Sequence, residues 1–256
     1  KRNRPRLMSV EFTKDAFLDG RVHVFQPVKG FRAGTDSVLL AAALDAGFSG
    51  QALEVGCGAG GALLPAATRL SAASFTGLEC DPEMVSLAEK GGVENALQSR
   101  VDIIQGDAAS LPQDWQNKFD LVFSNPPFFE PGKITDPGVG KEAAYLESLS
   151  LKGWINAMLF ALRPKGQLVM IHRAAELARI LANIERQTGD ISILPIQNYP
   201  GASAKRVIVS ARKGLRSGPV KLLAPFSLHG SKGGAATPAL QNIAREGSGI
   251  QFEDYS

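Results

Sequence analysis

The run Phe123-Ser124-Asn125-Pro126-Pro127-Phe128-Phe129 brings together residue types that can grip a planar amine. It follows Phe119-Asp120-Leu121-Val122, a short apolar stretch that reads as a buried strand. Two successive prolines cannot extend a ladder, because neither carries an N–H. Each also drives the residue before it out of helical space. The chain therefore leaves the sheet at Asn125 as a stiff turn, at the strand end where open α/β sheets hold ligands. Fixed carbonyls, the amide of Asn125 and the flat ring of Phe128 then face one space. That set accepts hydrogen bonds from an NH2 group and stacks on a planar ring.

A second constellation lies upstream. The strand Gln51-Ala52-Leu53-Glu54-Val55 runs into Gly56-Cys57-Gly58-Ala59-Gly60-Gly61 and then a helix over 62–70. Glycines there permit tight angles and close approach of backbone to a ligand. The run satisfies Gly-x-Gly-x-x-Gly, so a dinucleotide site is one reading. It equally satisfies Glu-x-Gly-x-Gly-x-Gly, led by Glu54. The glycines alone leave the two open. Strand 74–79 ends in Glu79, whose carboxylate can accept both hydroxyls of a ribose. Strand 101–105 ends in Gly106-Asp107, which alone reads as a turn or cap.

Asn-Pro-Pro-Phe after a hydrophobic strand resembles motif IV of class I methyltransferases that act on planar nitrogens. Glu-x-Gly-x-Gly-x-Gly resembles their motif I, and the order glycine turn, acid, acid fits their S-adenosylmethionine site. Phe31-Arg32-Ala33-Gly34-Thr35-Asp36-Ser37 before an apolar helix is similar to one branch, the bacterial tRNA1(Val) adenine-37 N6-methyltransferase group. The resemblance spans about residues 12–213. It implies a Rossmann-like α/β fold: a mostly parallel seven-stranded sheet, helices on both faces, the last strand inserted antiparallel, and an added N-terminal hairpin. It further implies S-adenosylmethionine as methyl donor, held by Thr35, Glu54, Gly56, Gly58, Gly60, Glu79, Asp107 and Asn125. Asn125, Pro126, Pro127 and Phe128 would form the catalytic corner, with no metal. The implied activity is methylation of an adenine N6 in tRNA.

The chain departs from that branch at Phe128, where tyrosine is common. Ribosomal RNA guanine N2-methyltransferases share Asn-Pro-Pro-Phe but usually carry a duplicated domain. Protein glutamine N5-methyltransferases share the proline pair but have a helical front end. A module that binds S-adenosylmethionine and RNA without catalysis is a further alternative, which an intact Asn125 disfavours. An NAD enzyme leaves the proline pair unexplained.

The elements that must position these residues alternate strand and helix from about Gln51, which argues a parallel sheet covered on both faces. Asp19-Gly20 between apolar runs marks a hairpin. Thr35 or Asp36 is the expected cap of a helix over 38–44, and Asp81 with Pro82 caps the next. A helix over 143–162 should end at Arg163-Pro164-Lys165-Gly166. His172-Arg173 and Lys205-Arg206 stand at strand ends as candidates for substrate or RNA contact. Lys133 and Lys141 sit in a Gly/Pro-rich loop after the motif. Residues 1–48 read as an extension with hairpin and helix, 49–213 as the catalytic domain, and 214–256 as a flexible appendage.

Composition bounds the rest. A 44% hydrophobic share with 21% charged residues supplies an ordinary soluble core. No apolar run approaches a membrane span, and no signal peptide is evident. Cys57 and Cys80 lie in apolar runs outside any CxxC pattern, which suits a reducing, cytoplasmic setting. A net charge of +3 permits an RNA partner without requiring one. Nothing implies an assembly beyond a monomer.

Overall fold

The computed structural model describes residues 11–30, 32–127 and 149–255. Strands β1 (Phe12–Phe17) and β2 (Val22–Pro27) form an antiparallel hairpin through Leu18, Asp19 and Gly20, all with positive φ. β2 buries Val22 and Val24. The hairpin is fastened to the sheet domain by Asn95, whose Oδ1 accepts the His23 N–H at 2.8 Å while its Nδ2 donates to the His23 carbonyl at 2.7 Å. Helix α1 (Thr35–Ala42) follows. Gly34, not Thr35 or Asp36, stands at its N-cap, and no side chain caps it. Asp36 instead pairs with Arg206 at 2.8 Å, so its carboxylate serves a tertiary contact rather than a local one.

The main sheet alternates with helices as expected. In chain order its strands are β3 (Gln51–Val55), β4 (Ser74–Glu79), β5 (Val101–Gln105), β6 (Phe119–Ser124), β7 (Leu162–Arg173), β8 (Thr188–Gln197) and β9 (Arg206–Lys213). They lie in the order β8-β9-β7-β6-β3-β4-β5, parallel except for β9, which is antiparallel to both neighbours. Seven strands with the last inserted antiparallel is the arrangement the resemblance implied. Helices α2 (Leu63–Arg69) and α3 (Pro82–Glu94) connect the first strands, and α4 (Leu151–Ala161) and α5 (Leu177–Ile184) the later ones. Asp81 caps α3 by accepting the Glu83 N–H at 2.7 Å.

Strand side chains alternate between faces. Ala52, Leu121 and Phe123 join a core with α1 and α2, whereas Leu53, Val55 and Val122 join one with α4 and α5. Phe75 and Phe123 meet edge to face on the first side, with ring centroids 6.3 Å apart.

Two expectations fail here. Helix α4 starts at Leu151, capped by Ser150, and passes straight into β7 at Leu162. Arg163-Pro164-Lys165-Gly166 is accommodated as an irregularity of the β6–β7 pairing, with Lys165 at φ +66°. Residues 143–148 lie outside the described chain. Residues 214–256 also differ from a flexible appendage. Short strands β10 (Lys221–Leu222) and β11 (Phe226–Ser227) both pair with β8, and helix α6 (Pro238–Glu246) follows. Leu223, Phe226, Ile243 and Ile250 are buried in the core. Arg69 donates to the Gly247 carbonyl at 2.7 Å, and the Ile250 N–H to the Ala42 carbonyl at 2.7 Å. These anchors are isolated and irregularly spaced, so no periodicity betrays them.

Candidate active site

The glycine turn springs from the buried end of β3. Gly56, Gly58 and Gly60 all have positive φ, at 72°, 53° and 85°. A side chain on Gly56 would come within 2.7 Å of the Trp154 ring. Gly58 differs: the space its side chain would fill holds no atom within 4 Å, so its bare backbone faces an opening. A side chain on Gly61 would collide with Ala33, which places the Gly34-Thr35 segment against this turn. Thr35 itself is exposed there.

Carboxylates line this half of the sheet's carboxyl edge. Glu79 accepts the Gly58 N–H at 2.8 Å on Oε2, and those of Cys80 and Asp81 at 2.8 and 2.9 Å on Oε1. It thereby ties the glycine turn to the end of β4. Glu54 is 2% exposed, and its Oε2 has no hydrogen-bond partner. Burial, reinforced by Glu79, holds its pKa well above the carboxylate norm, against a backbone hydrogen bond from Leu63. Asp107 accepts the Ala109 N–H at 2.8 Å and is exposed beyond β5, so the cap reading of this residue is realised. No Lys or Arg occurs in 54–62, 79–83 or 105–110, against Glu54, Glu79, Asp81, Glu83 and Asp107. The neighbouring thiols are held protonated. Burial, then Glu54 and Glu79, pushes the Cys57 pKa up; burial, then Glu79, raises that of Cys80 to about 12.

The proline corner adjoins this turn. Glu54 pairs with Phe123 across β3 and β6, so Gly56 and Asn125 leave neighbouring strands side by side. Asn125 and Pro127 are half-buried and Pro126 is buried. Phe128 lies outside the described residues, as do Lys133 and Lys141. Ser124 donates to the Val55 carbonyl at 2.7 Å and accepts the Trp154 indole N–H at 2.9 Å. One helix residue thus braces both the glycine turn and the corner. Trp154 is not among the residues singled out from the sequence. The available signal was Ser124, a hydroxyl at the end of a buried strand, which demands a partner.

Other candidates separate. His172 is 2% exposed within β7, and burial lowers its pKa to about 4, so it is a neutral core residue rather than a substrate contact. Arg173, one residue on, is half-buried, and Lys205 is exposed. No described helix is long and apolar enough to cross a membrane.

A glycine turn, a strand-end acid and an antiparallel seventh strand define a class I methyltransferase. Residues 49–207 match the family model described as a methyltransferase domain, and the chain belongs to that family. It is an S-adenosylmethionine-dependent methyltransferase. The tRNA1(Val) (adenine(37)-N6)-methyltransferase of Shewanella baltica (strain OS185) is 29% identical over 198 residues, covering 75% of this chain and 82% of that one. The protein of the same name from Flavobacteriaceae bacterium (strain 3519-10) is 34% identical over 142 residues, 55% and 59% of the two chains. Among solved structures, a predicted O-methyltransferase, protein Atu636 from Agrobacterium tumefaciens, superposes with a TM-score of 0.70 at 25% identity, covering 84% of this chain and 98% of that one. The Thermus thermophilus 16S rRNA N2 G1207 methyltransferase, in complex with AdoMet and guanosine, gives 0.54 at 17% identity, covering 83% and 47%, and shares the fold.

The donor set fits the cofactor. The opening above Gly58 admits a ligand to the backbone, and the surrounding carboxylates suit a cationic molecule carrying hydroxyls.

Proposed function

We propose that this enzyme methylates the exocyclic N6 of an adenine in tRNA. The observation that carries the reading is that Asn125-Pro126 follow the end of β6, beside the glycine turn that follows β3. Support comes also from the names of the relatives. When bound, the cofactor supplies a methyl group made electrophilic by its sulfonium.

An adenine amine is a weak nucleophile, because its lone pair conjugates with the ring. Asn125 Oδ1 and the Pro126 carbonyl would each accept one of its N–H bonds and favour a pyramidal nitrogen. The lone pair then turns toward the neighbouring turn, and one of the held protons leaves to water as the new bond forms. Phe128 would stack on the ring. The rate gain is positioning and fixed electrostatics. In this reading Glu79 takes the ribose, Asp107 the cofactor's adenine amine, and Thr35 with Glu54 the methionine end. A paired base must first be turned out, so a single-stranded loop is the easier target.

The test is transfer of isotopically labelled methyl to total RNA and to total protein from a strain lacking the gene, followed by nucleoside identification. Label recovered as N6-methyladenosine in the tRNA fraction is expected. Label as N2-methylguanosine, or in protein alone, would replace this reading.

A further inference from the structure

Charge is unevenly distributed along the chain. Between Asp190 and Glu246 there is no Asp or Glu, yet Lys205, Arg206, Arg212, Lys213, Arg216, Lys221, Lys232 and Arg245 all fall there. Several of these are engaged at the far edge of the sheet. Lys213 donates to the Leu159 and Leu162 carbonyls, and Lys221 pairs with Asp190 at 3.0 Å. Lys205 and Lys232 are different. Both are exposed, and neither has an ion pair among the described residues.

Their position follows from the hydrogen bonds. Ser124 pairs with Met170, so the proline corner sits beside the last residues of β7. Arg173 at the end of β7 pairs with Arg206, and the Ala174 N–H donates to the Lys205 carbonyl at 3.0 Å. The loop 198–205 then returns to β8, where the Lys205 N–H meets the Ile196 carbonyl at 3.1 Å. Beyond it, the Leu228 and His229 N–H groups donate to Gln197 and Asn198 at 3.0 and 2.8 Å. His229 bridges to Ala236, so residues 229–236 form a small hairpin on the same edge as Asn125. Its base is fixed by buried Phe226 and by Thr237, whose hydroxyl donates to the Ser227 carbonyl at 2.9 Å. Its tip, Ser231, Lys232 and Gly233, is exposed. From β6 through β7, β9 and β8 to β11 is four strand spacings, about 19 Å.

Resting on the tRNA reading above, we propose that loop 198–205 and hairpin 229–236 form the wall that receives the phosphates of the RNA strand flanking the target base. Lys205 and Lys232 are its contacts, and half-buried Tyr199, in the same loop as Lys205, offers a ring for base stacking. Two segments with exposed cations, no carboxylate of their own and a glycine-rich tip suit a sequence-independent polyanion, the nearby Asp36 and Glu176 being paired with Arg206 and Arg179. The base is read at Asn125; this wall sets only how the strand is held.

The experiment measures binding of fluorescein-labelled, unmodified tRNA by anisotropy across salt concentrations. Lys205→Ala with Lys232→Ala should lower the slope of log affinity against log salt by about 1.4, at about 0.7 per lost contact. Affinity near 0.1 M salt should fall roughly tenfold. Lys205→Gln with Lys232→Gln should lose the same slope, separating charge from packing. Arg212→Ala with Lys221→Ala, at the opposite edge, should leave it unchanged. Calorimetric affinity for S-adenosylmethionine should be equal in all, which also reports folding. An unchanged slope in the first pair, or an equal loss in the control pair, overturns the wall. A wild-type enzyme that neither binds nor methylates tRNA overturns the substrate reading instead.

Discussion

The carboxyl edge of the sheet has two halves of opposite character. At the ends of β3, β4 and β5 stand Glu54, Glu79, Asp81, Glu83 and Asp107 with no cation among them. Past β6, the ends of β7, β9, β8 and β11 carry Arg173, Lys205, Arg206 and Lys232, while Glu176 is paired with Arg179 at 2.9 Å. The first half is knit by backbone N–H groups donating to Glu79, the second partly by the Arg206–Asp36 ion pair. In the proposed reading the contrast is a division of labour: the acidic half suits a cationic donor with hydroxyls, the basic half a polyanion. β6 is the seam, and Asn125 stands just past its end. A group that must act on both ligands at once belongs there.

The sharpest way to break the comparison is at the seam. Asn125→Ala should cut single-turnover methyl transfer by about 10²–10³-fold, the range for losing one preorganised partner at a reacting centre. Calorimetric affinity for S-adenosylmethionine should stay within about twofold. In the acidic half, Glu79→Ala should weaken cofactor binding by about 10–100-fold, the worth of hydrogen bonds to a charged group. Asp107→Ala should act in the same direction and less. Neither should change tRNA affinity measured by anisotropy. Trp154→Phe removes the indole N–H from Ser124 and should lower kcat several-fold while both ligand affinities hold. Its stability cost should be about 0.5–1.5 kcal/mol by denaturant titration.

The smallest effect concerns Glu54. Its folded pKa is raised, so the stability it contributes is complete below about pH 4.3, the unfolded value, and is lost as pH rises toward the folded one. Glu54→Gln should therefore melt above wild type at pH 8 and level with it near pH 4. A scanning-calorimetry comparison of the unliganded proteins would read a gain of roughly 2–4 °C per kcal/mol recovered.

The placement of the glycine turn, Glu79, Asp107 and the Asn-Pro-Pro corner at strand ends was legible because it is written in local order. Each needs only its own strand and turn, and alternation of strand and helix brings the turns to one edge. What sequence missed depends on distant partners. Asp36 looked like a cap, but Arg206, 170 residues away, takes its carboxylate. Trp154 drew no notice, because its bond to Ser124 exists only once α4 packs across β6. Residues 214–256 looked loose, since four scattered anchors and backbone bonds to β8 leave no pattern in composition. His172 showed the converse: a strand-end histidine in sequence is interior in the fold.

The most direct measurement is a crystal structure with S-adenosylhomocysteine bound. The account predicts the ribose hydroxyls on Glu79, the adenine amine toward Asp107, and the sulfur opening onto Asn125 Oδ1 and the Pro126 carbonyl. A ligand lying away from Gly56–Gly60, or an Asn125 amide turned into the protein interior, would contradict it.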